Sequence, residues 1–236
     1  VTVNSSSNRA PVARAGDDFT AGAGMMVTLD GSASSDPDAD DTLSYQWTQT
    51  GGPAVFIEDP TAVSTTFFAP QSAVALTFEM EVEDGRGGSA TDQVTVLVLW
   101  ASAGDDRKVV PGVKVNLDGS ASAAVGGRTL SYQWRQLGGT PVTLTNANSA
   151  KAGFVVPADA ADGDLITIEL AVQDPDGNID RDDVGLNVVR HPTVRLETSR
   201  GNIDLEILLD DAPNTSINFV QYVEDRFYDG TIFHRV

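Results

Sequence analysis

The strongest constraint on this chain is that it repeats itself. Leu29-Asp30-Gly31-Ser32-Ala33-Ser34 comes back as Leu117 to Ser122, and Leu43-Ser44-Tyr45-Gln46-Trp47 comes back as Leu130 to Trp134, at offsets of 88 and 87 residues. Ala15-Gly16-Asp17-Asp18 returns as Ala103-Gly104-Asp105-Asp106, Gly51-Gly52 as Gly138-Gly139, and the segment Asp92 to Val98 as Asp182 to Val188. Similarity sustained at one offset marks tandem structural units. Roughly the first four-fifths of the 236 residues therefore build one fold twice, and each copy is long enough for a single, modest core. Residues 191–236 do not repeat and belong to something else.

Each copy is patterned as β-structure. In the first, runs of β-formers at Met25–Leu29, Leu43–Thr48, Val55–Ile57, Ser64–Phe68, Ala75–Glu83 and Gln93–Leu99 alternate with Gly, Asp, Ser and Pro clusters. Six or seven short strands with turn signals at this spacing predict a β-sandwich. Leu76, Phe78, Met80 and Val82 alternate onto one face, as do Ile166, Ile168, Leu170 and Val172 in the second copy. Trp47 and Trp134 are expected to anchor the two cores, since without a single cysteine no disulfide shares that task.

The charge narrows the partners. Thirty-four acidic residues against fifteen basic ones give −19, a surface that repels phosphate backbones and excludes nucleic acid as an expected partner. No apolar run reaches membrane-spanning length. Val1 is not followed by a charged-then-apolar leader, so any secretion signal is expected to have been removed. With two histidines and no cysteine, zinc is not expected.

Clustered carboxylates without histidine suit a hard cation. Asp36, Asp38, Asp40 and Asp41 crowd six positions, and the Asp17-Asp18 segment is placed to approach them in a sandwich. Asp36, Asp38, Asp40 and Asp17 are therefore candidate Ca²⁺ ligands, the alternative being a solvated Asp-Pro-Asp turn. Asp174-Pro175-Asp176-Gly177-Asn178-Ile179-Asp180 has a calcium-loop composition, but its glycine stands fourth where an EF-hand needs it sixth, which favours a hairpin turn.

Pro11 to Asp17, followed by VTLDGSASSDPDADDTLSYQWTQTGG, resembles the polycystic-kidney-disease (PKD) type of immunoglobulin-like domain. The second copy resembles a diverged member, with Ala123 to Arg128 in place of Asp36 to Asp41. The resemblance implies an extracellular or periplasmic setting and a spacer or ligand-presenting role, toward a cell-surface protein or glycan. The expected organisation is a tail at 1–10, sandwiches at 11–99 and 100–190, and a further domain at 191–236.

That last segment changes pattern. Val194–Thr198 and Ile203–Ile207 alternate about a Gly-Asn turn, and Asn214 to Arg226 carries apolar residues at helical spacing with Pro213 in the first turn. The order strand, turn, strand, Ala212-Pro213-Asn214-Thr215 with Asn218-Phe219, then Phe233-His234-Arg235-Val236, resembles the opening of a cyclophilin-type peptidyl-prolyl isomerase. The resemblance implies that Arg235 is catalytic, that Phe233 and His234 are candidate substrate-binding residues beside it, and that no cofactor is required. By alternation His234 faces away from Arg235 and reads as supporting structure. The family's later segments are absent, so the cyclophilin-like β-barrel is not expected to close and this chain is expected to be inactive. The implied parent is a folding catalyst acting on proline-containing clients; the alternative is an adhesion protein in which the PKD-like pair binds and the cyclophilin-like part is accessory.

Overall fold

The computed structural model describes residues 7–38 and 41–230. By contact they fall into two compact units, residues 1–101 with 122–130 and 172–180, and residues 102–121 with 131–171 and 181–236.

The first repeat is a two-sheet sandwich. Strands β1 (Phe19–Gly22), β3 (Ser44–Gly51), β5 (Ala75–Glu83) and β6 (Ser89–Leu99) form one sheet in the order β1-β6-β5-β3, and β2 (Met26–Asp30) pairs with β4 (Ser64–Phe68) in the other. β1 runs parallel to β6, whereas β5 pairs antiparallel with both β6 and β3. The alternation along β5 is realised: Leu76, Phe78, Met80 and Val82 are wholly buried. They meet Trp47, Leu29, Phe67, Val94, Val96 and Val98 in one core. Trp47 is 1% exposed, and its indole Nε1 donates to the Ala62 carbonyl at 3.1 Å.

The second repeat copies this topology strand for strand. β7 (Arg107–Val109), β9 (Ser131–Gly138), β11 (Leu165–Gln173) and β12 (Ile179–Val188) form a sheet ordered β7-β12-β11-β9, beside the pair β8 (Lys114–Asp118) and β10 (Lys151–Val155). Trp134 is again 1% exposed, and its indole donates to the Ser149 carbonyl at 3.0 Å. The chain is thus mainly β, with two Ig-like sandwiches.

Val55–Ile57 does not become a strand, and a side chain takes the Val55 amide that pairing would use. Gln49 Oε1 accepts from the Val55 amide at 2.9 Å, while its Nε2 donates to the carbonyls of Gly51 and Pro53. Gln136 treats Val142, Gly138 and Thr140 in the same way. A local side-chain bond of this kind competes directly with a sheet ladder.

Beyond β12, a hairpin of β13 (Thr193–Thr198) and β14 (Gly201–Glu206) turns at Ser199-Arg200 and leads to helix α1 (Pro213–Glu224). No closed barrel forms among the described residues. The helix ends in a Schellman motif. Arg226 adopts φ +56°, its amide donates to the Val223 carbonyl, and the Phe227 amide donates to that of Tyr222. The Tyr222 and Phe227 rings close the motif at a centroid separation of 5.1 Å.

Candidate functional site

Two places in the fold carry features that packing alone does not require: the acidic loop of the first repeat and the seat of α1 on the second.

In the acidic loop, Asp36, Asp38 and Asp41 each bring a carboxylate oxygen to within 4.8 Å of the other two. Their surroundings differ. Asp38 is engaged by Arg9, which donates to it from the backbone amide at 2.8 Å and from Nε at 2.9 Å. Those donations, the backbone one foremost, hold the Asp38 carboxyl below its ordinary range. Asp84, on the turn after β5, accepts from the Asn8 side chain and from the amides of Arg86 and Gly88, and it too is lowered, chiefly by Asn8. Asp41 is the exception. Its side chain is fully shielded from solvent, and burial, reinforced by Asp36, Asp38 and Asp84, raises its carboxyl against the opposing pull of Arg86. The Arg86 guanidinium lies 2.9 Å from Asp41 Oδ1 but out of line for a hydrogen bond. Both Asp41 oxygens and Asp36 Oδ2 are buried without a hydrogen-bond partner.

Of the four expected ligands, the structure brings together Asp36 and Asp38. Asp17 is exposed and stands outside the group, because its segment turns toward β6, where the neighbouring Asp18 accepts from the Thr95 amide at 2.7 Å. Asp40 lies outside the described residues. Asp84 and Arg86, which complete the surroundings, were invisible to local pattern because they come from a turn more than forty residues downstream.

The turn of the second repeat that matches Asp84 to Gly88 is a hairpin. Asp174 Oδ1 accepts from the amides of Asp176 and Asn178 at 3.0 and 2.9 Å, as Asp84 does from the amides two and four residues ahead of it. Arg128 lies over the turn, 2.6 Å from Asp176 and 3.5 Å from Asp174. Burial pushes the Asp174 carboxyl up, but Asn178, the turn amides and Arg128 outweigh it and the net shift is downward.

The seat of α1 is built on the turn Val110-Pro111-Gly112-Val113, closed by the Val113 amide on the Val110 carbonyl at 3.1 Å with Gly112 at φ +80°. Proline second and a left-handed glycine third is type II chemistry. Val110, Val113, Leu209 and Val220 form a buried apolar cluster, with Ile207 and Ile217 against it. Gln221 Oε1 accepts from the Lys114 amide at 3.0 Å, and Arg190 pairs with Asp210 at 2.6 Å. A Cβ on Gly112 would come within 2.5 Å of Ile217 Cδ1, so the turn is glycine for closeness as well as for φ. In the first repeat the equivalent turn, Gly22 to Met25, leaves Met25 59% exposed. Sequence periodicity identified the apolar stripe of α1 but not the turn that receives it. Phe219 and Tyr222 of the helix stack with Phe227 and Tyr228 just past its end, and Phe233, His234 and Arg235 lie outside the described residues.

Comparison with known proteins divides the chain at the same point. Residues 15–98 and 103–188 match the family described as K319L-like, PKD domain, and residues 193–236 match the family described as cyclophilin type peptidyl-prolyl cis-trans isomerase/CLD. A peptidyl-prolyl cis-trans isomerase of Synechococcus elongatus is 56% identical over 41 residues, 17% of this chain and 28% of that protein. The dyslexia-associated protein KIAA0319 homolog of Mus musculus is 30% identical over 207 residues, 81% of this chain but 18% of that protein. The chain thus spans less than a third of either relative. Among solved structures, the PKD domain from KIAA 1837 protein is 33% identical, covering 39% of this chain and 90% of that domain with a TM-score of 0.33.

Proposed function

The chain belongs to the K319L-like PKD-domain family over residues 15–98 and 103–188, and from that premise we propose that it is part of a secreted or cell-surface prolyl isomerase whose catalytic domain is carried on tandem PKD-like modules. The observation that carries the reading is the match of residues 193–236 to cyclophilin-type isomerases. No helix among the described residues is long and apolar enough to cross a membrane.

Isomerisation of an X–Pro bond has a barrier of about 18–20 kcal/mol because the C–N bond must lose partial double-bond character. No bond breaks, so no nucleophile or electron carrier is called for. In this reading Arg235 donates from its guanidinium to the prolyl nitrogen, favouring the pyramidal form in which amide resonance is lost. A fixed donor of permanent charge suits that task. Phe233 and His234 flank it as substrate-contacting and supporting residues, and the clients are proline-containing polypeptides.

A coupled isomerisation assay on the full-length protein tests this. Arg235→Ala is expected to lower the catalysed rate by a factor on the order of 10²–10³, with Arg235→Lys restoring little. A mutant as active as the parent removes Arg235 from the mechanism.

The similarity to the KIAA0319 homolog over 81% of the chain favours a second reading, in which the PKD-like pair binds a surface protein or glycan and the cyclophilin-like part is accessory. A full-length protein without isomerase activity that still adheres to cells would favour it.

A further inference from the structure

We propose that the acidic loop of the first PKD-like repeat is a Ca²⁺ site formed by Asp36, Asp38 and Asp41, and that the second repeat, with Arg128 in place of Asp41, has lost it.

The first line of argument is a buried group left unsatisfied. The Asp41 side chain is fully enclosed, yet neither oxygen has a hydrogen-bond partner, and Asp36 Oδ2 beside it is in the same condition. Most buried polar atoms in a folded protein are satisfied, so three orphan carboxylate oxygens in one loop call for a partner of positive charge. The guanidinium groups nearby fill that role only in part. Arg9 is committed to Asp38, and Arg86 approaches Asp41 without hydrogen-bond alignment.

The second is a charge count. Asp36, Asp38, Asp41 and Asp84 bring four negative charges to this end of the sandwich, and Arg9 and Arg86 bring two positive ones. Among the described residues the formal remainder is −2, an excess of negative charge that favours a cation. The donor atoms are all oxygen, the choice of a hard cation, and their spacing in an irregular loop suits the flexible coordination of Ca²⁺ better than the strict octahedron of Mg²⁺.

The third comes from the other repeat. At the offset that superimposes the two LSYQW strands, Asp41 corresponds to Arg128. Asp174, which is held by the same turn amides as Asp84, receives Arg128 at 3.5 Å, and Asp176 receives it at 2.6 Å. A positive charge therefore already lies over the acidic turn of the second repeat, supplied by the chain itself. The first repeat has a carboxylate at that position, and although Arg86 pairs with it, Asp36 and Asp38 stand close by and leave more negative charge than the loop's own arginines offset.

Isothermal titration of the full chain with CaCl₂ after chelation tests the proposal. The expected result is one site with Kd on the order of 10⁻⁴–10⁻³ M, the range of extracellular calcium modules. Asp41→Asn is expected to weaken binding at least tenfold, with far-ultraviolet circular dichroism unchanged, while Asp174→Asn leaves it unaltered. Amide NMR of the wild-type chain supplies a measurement independent of any variant: Ca²⁺ should move the resonances of residues 36–41 and 84–88. Absence of binding, an Asp41→Asn chain that binds as the parent does, or shifts confined to residues 174–180 would each overturn it.

Discussion

Arg128 stands in the second repeat where Asp41 stands in the first, and each lies against an oppositely charged residue of the turn that follows the same strand. Asp41 lies 2.9 Å from Arg86 and Arg128 lies 2.6 Å from Asp176, so the two copies hold one ion pair with its charges exchanged. The exchange is not equivalent in stability. Arg128 remains a third exposed and keeps its hydration in part, whereas the Asp41 carboxylate is enclosed.

That difference predicts the effect of Asp41→Asn on the chain in chelator. Burial holds the Asp41 carboxyl above its ordinary value, so the folded state retains this proton at a pH where the unfolded chain has released it. The stability that the group contributes is present below the ordinary carboxylate value and is lost as pH rises through the raised one. At neutral pH without calcium, Asp41→Asn should therefore raise Tm by a few degrees. The gain should vanish as pH falls through the raised value. Calorimetry at pH 7 and in the acid range checks both; a variant that melts lower at pH 7 in chelator contradicts the account.

Arg9→Ala should strengthen Ca²⁺ binding. The arginine occupies Asp38 through three contacts and contributes a like charge to the loop. Its side chain is 59% exposed, which limits the effect to roughly a two- to fivefold fall in Kd. Titration at low ionic strength reads it out, and an unchanged or weaker affinity would remove Arg9 from the site.

Reversal of the second pair should be costly. In Arg128→Asp, a carboxylate replaces the cation beside Asp174, whose side chain is 3% exposed, and beside Asp176. The Tm of the second repeat should fall by several degrees. Adding Asp176→Arg should recover part of the loss by restoring the arrangement of the first repeat. Equal melting of the single and double variants would show that the pair is not coupled.

The sandwiches were legible in the sequence because their cores rest on local alternation. Leu76 to Val82 and Ile166 to Val172 are buried at every second position, and Trp47 and Trp134 sit where the repeated LSYQW puts them. What was not legible depends on partners far away in the chain. Nothing near Asp41 announces Arg86, and nothing near Gly112 announces Ile217. Val55–Ile57 has β-formers in a row, yet Gln49 diverts its backbone, a choice that propensity does not register. Asp17 was drawn into the acidic group by composition, and the course of its segment beside β6 removed it.

Gly112→Ala should loosen α1 while leaving the sandwich folded. The substitution forces an L side chain into the left-handed region, at about 1–2 kcal/mol, and pushes a methyl against Ile217. Val220→Ala should act at the same contact from the other side, costing about 1–2 kcal/mol for two lost methyl groups in a small cluster. Hydrogen exchange separates the two levels. Amides of α1 should exchange roughly five- to thirtyfold faster in either variant, while those of β11 should not change. Equal acceleration in β11 would mean that the helix and the sandwich open as one.

Lys114 and Gln221 are joined by a hydrogen bond although 107 residues separate them, and every residue on the sandwich side of that contact is translated first. Domains fold as units during synthesis, the N-terminal ones earliest. When the β13–β14 hairpin and α1 leave the ribosome, Val110 and Val113 therefore already stand on a finished surface. An amphipathic helix that buries too little on its own to stay ordered meets a template as soon as it appears. In this arrangement the preceding repeat acts toward the segment behind it as a built-in scaffold for folding.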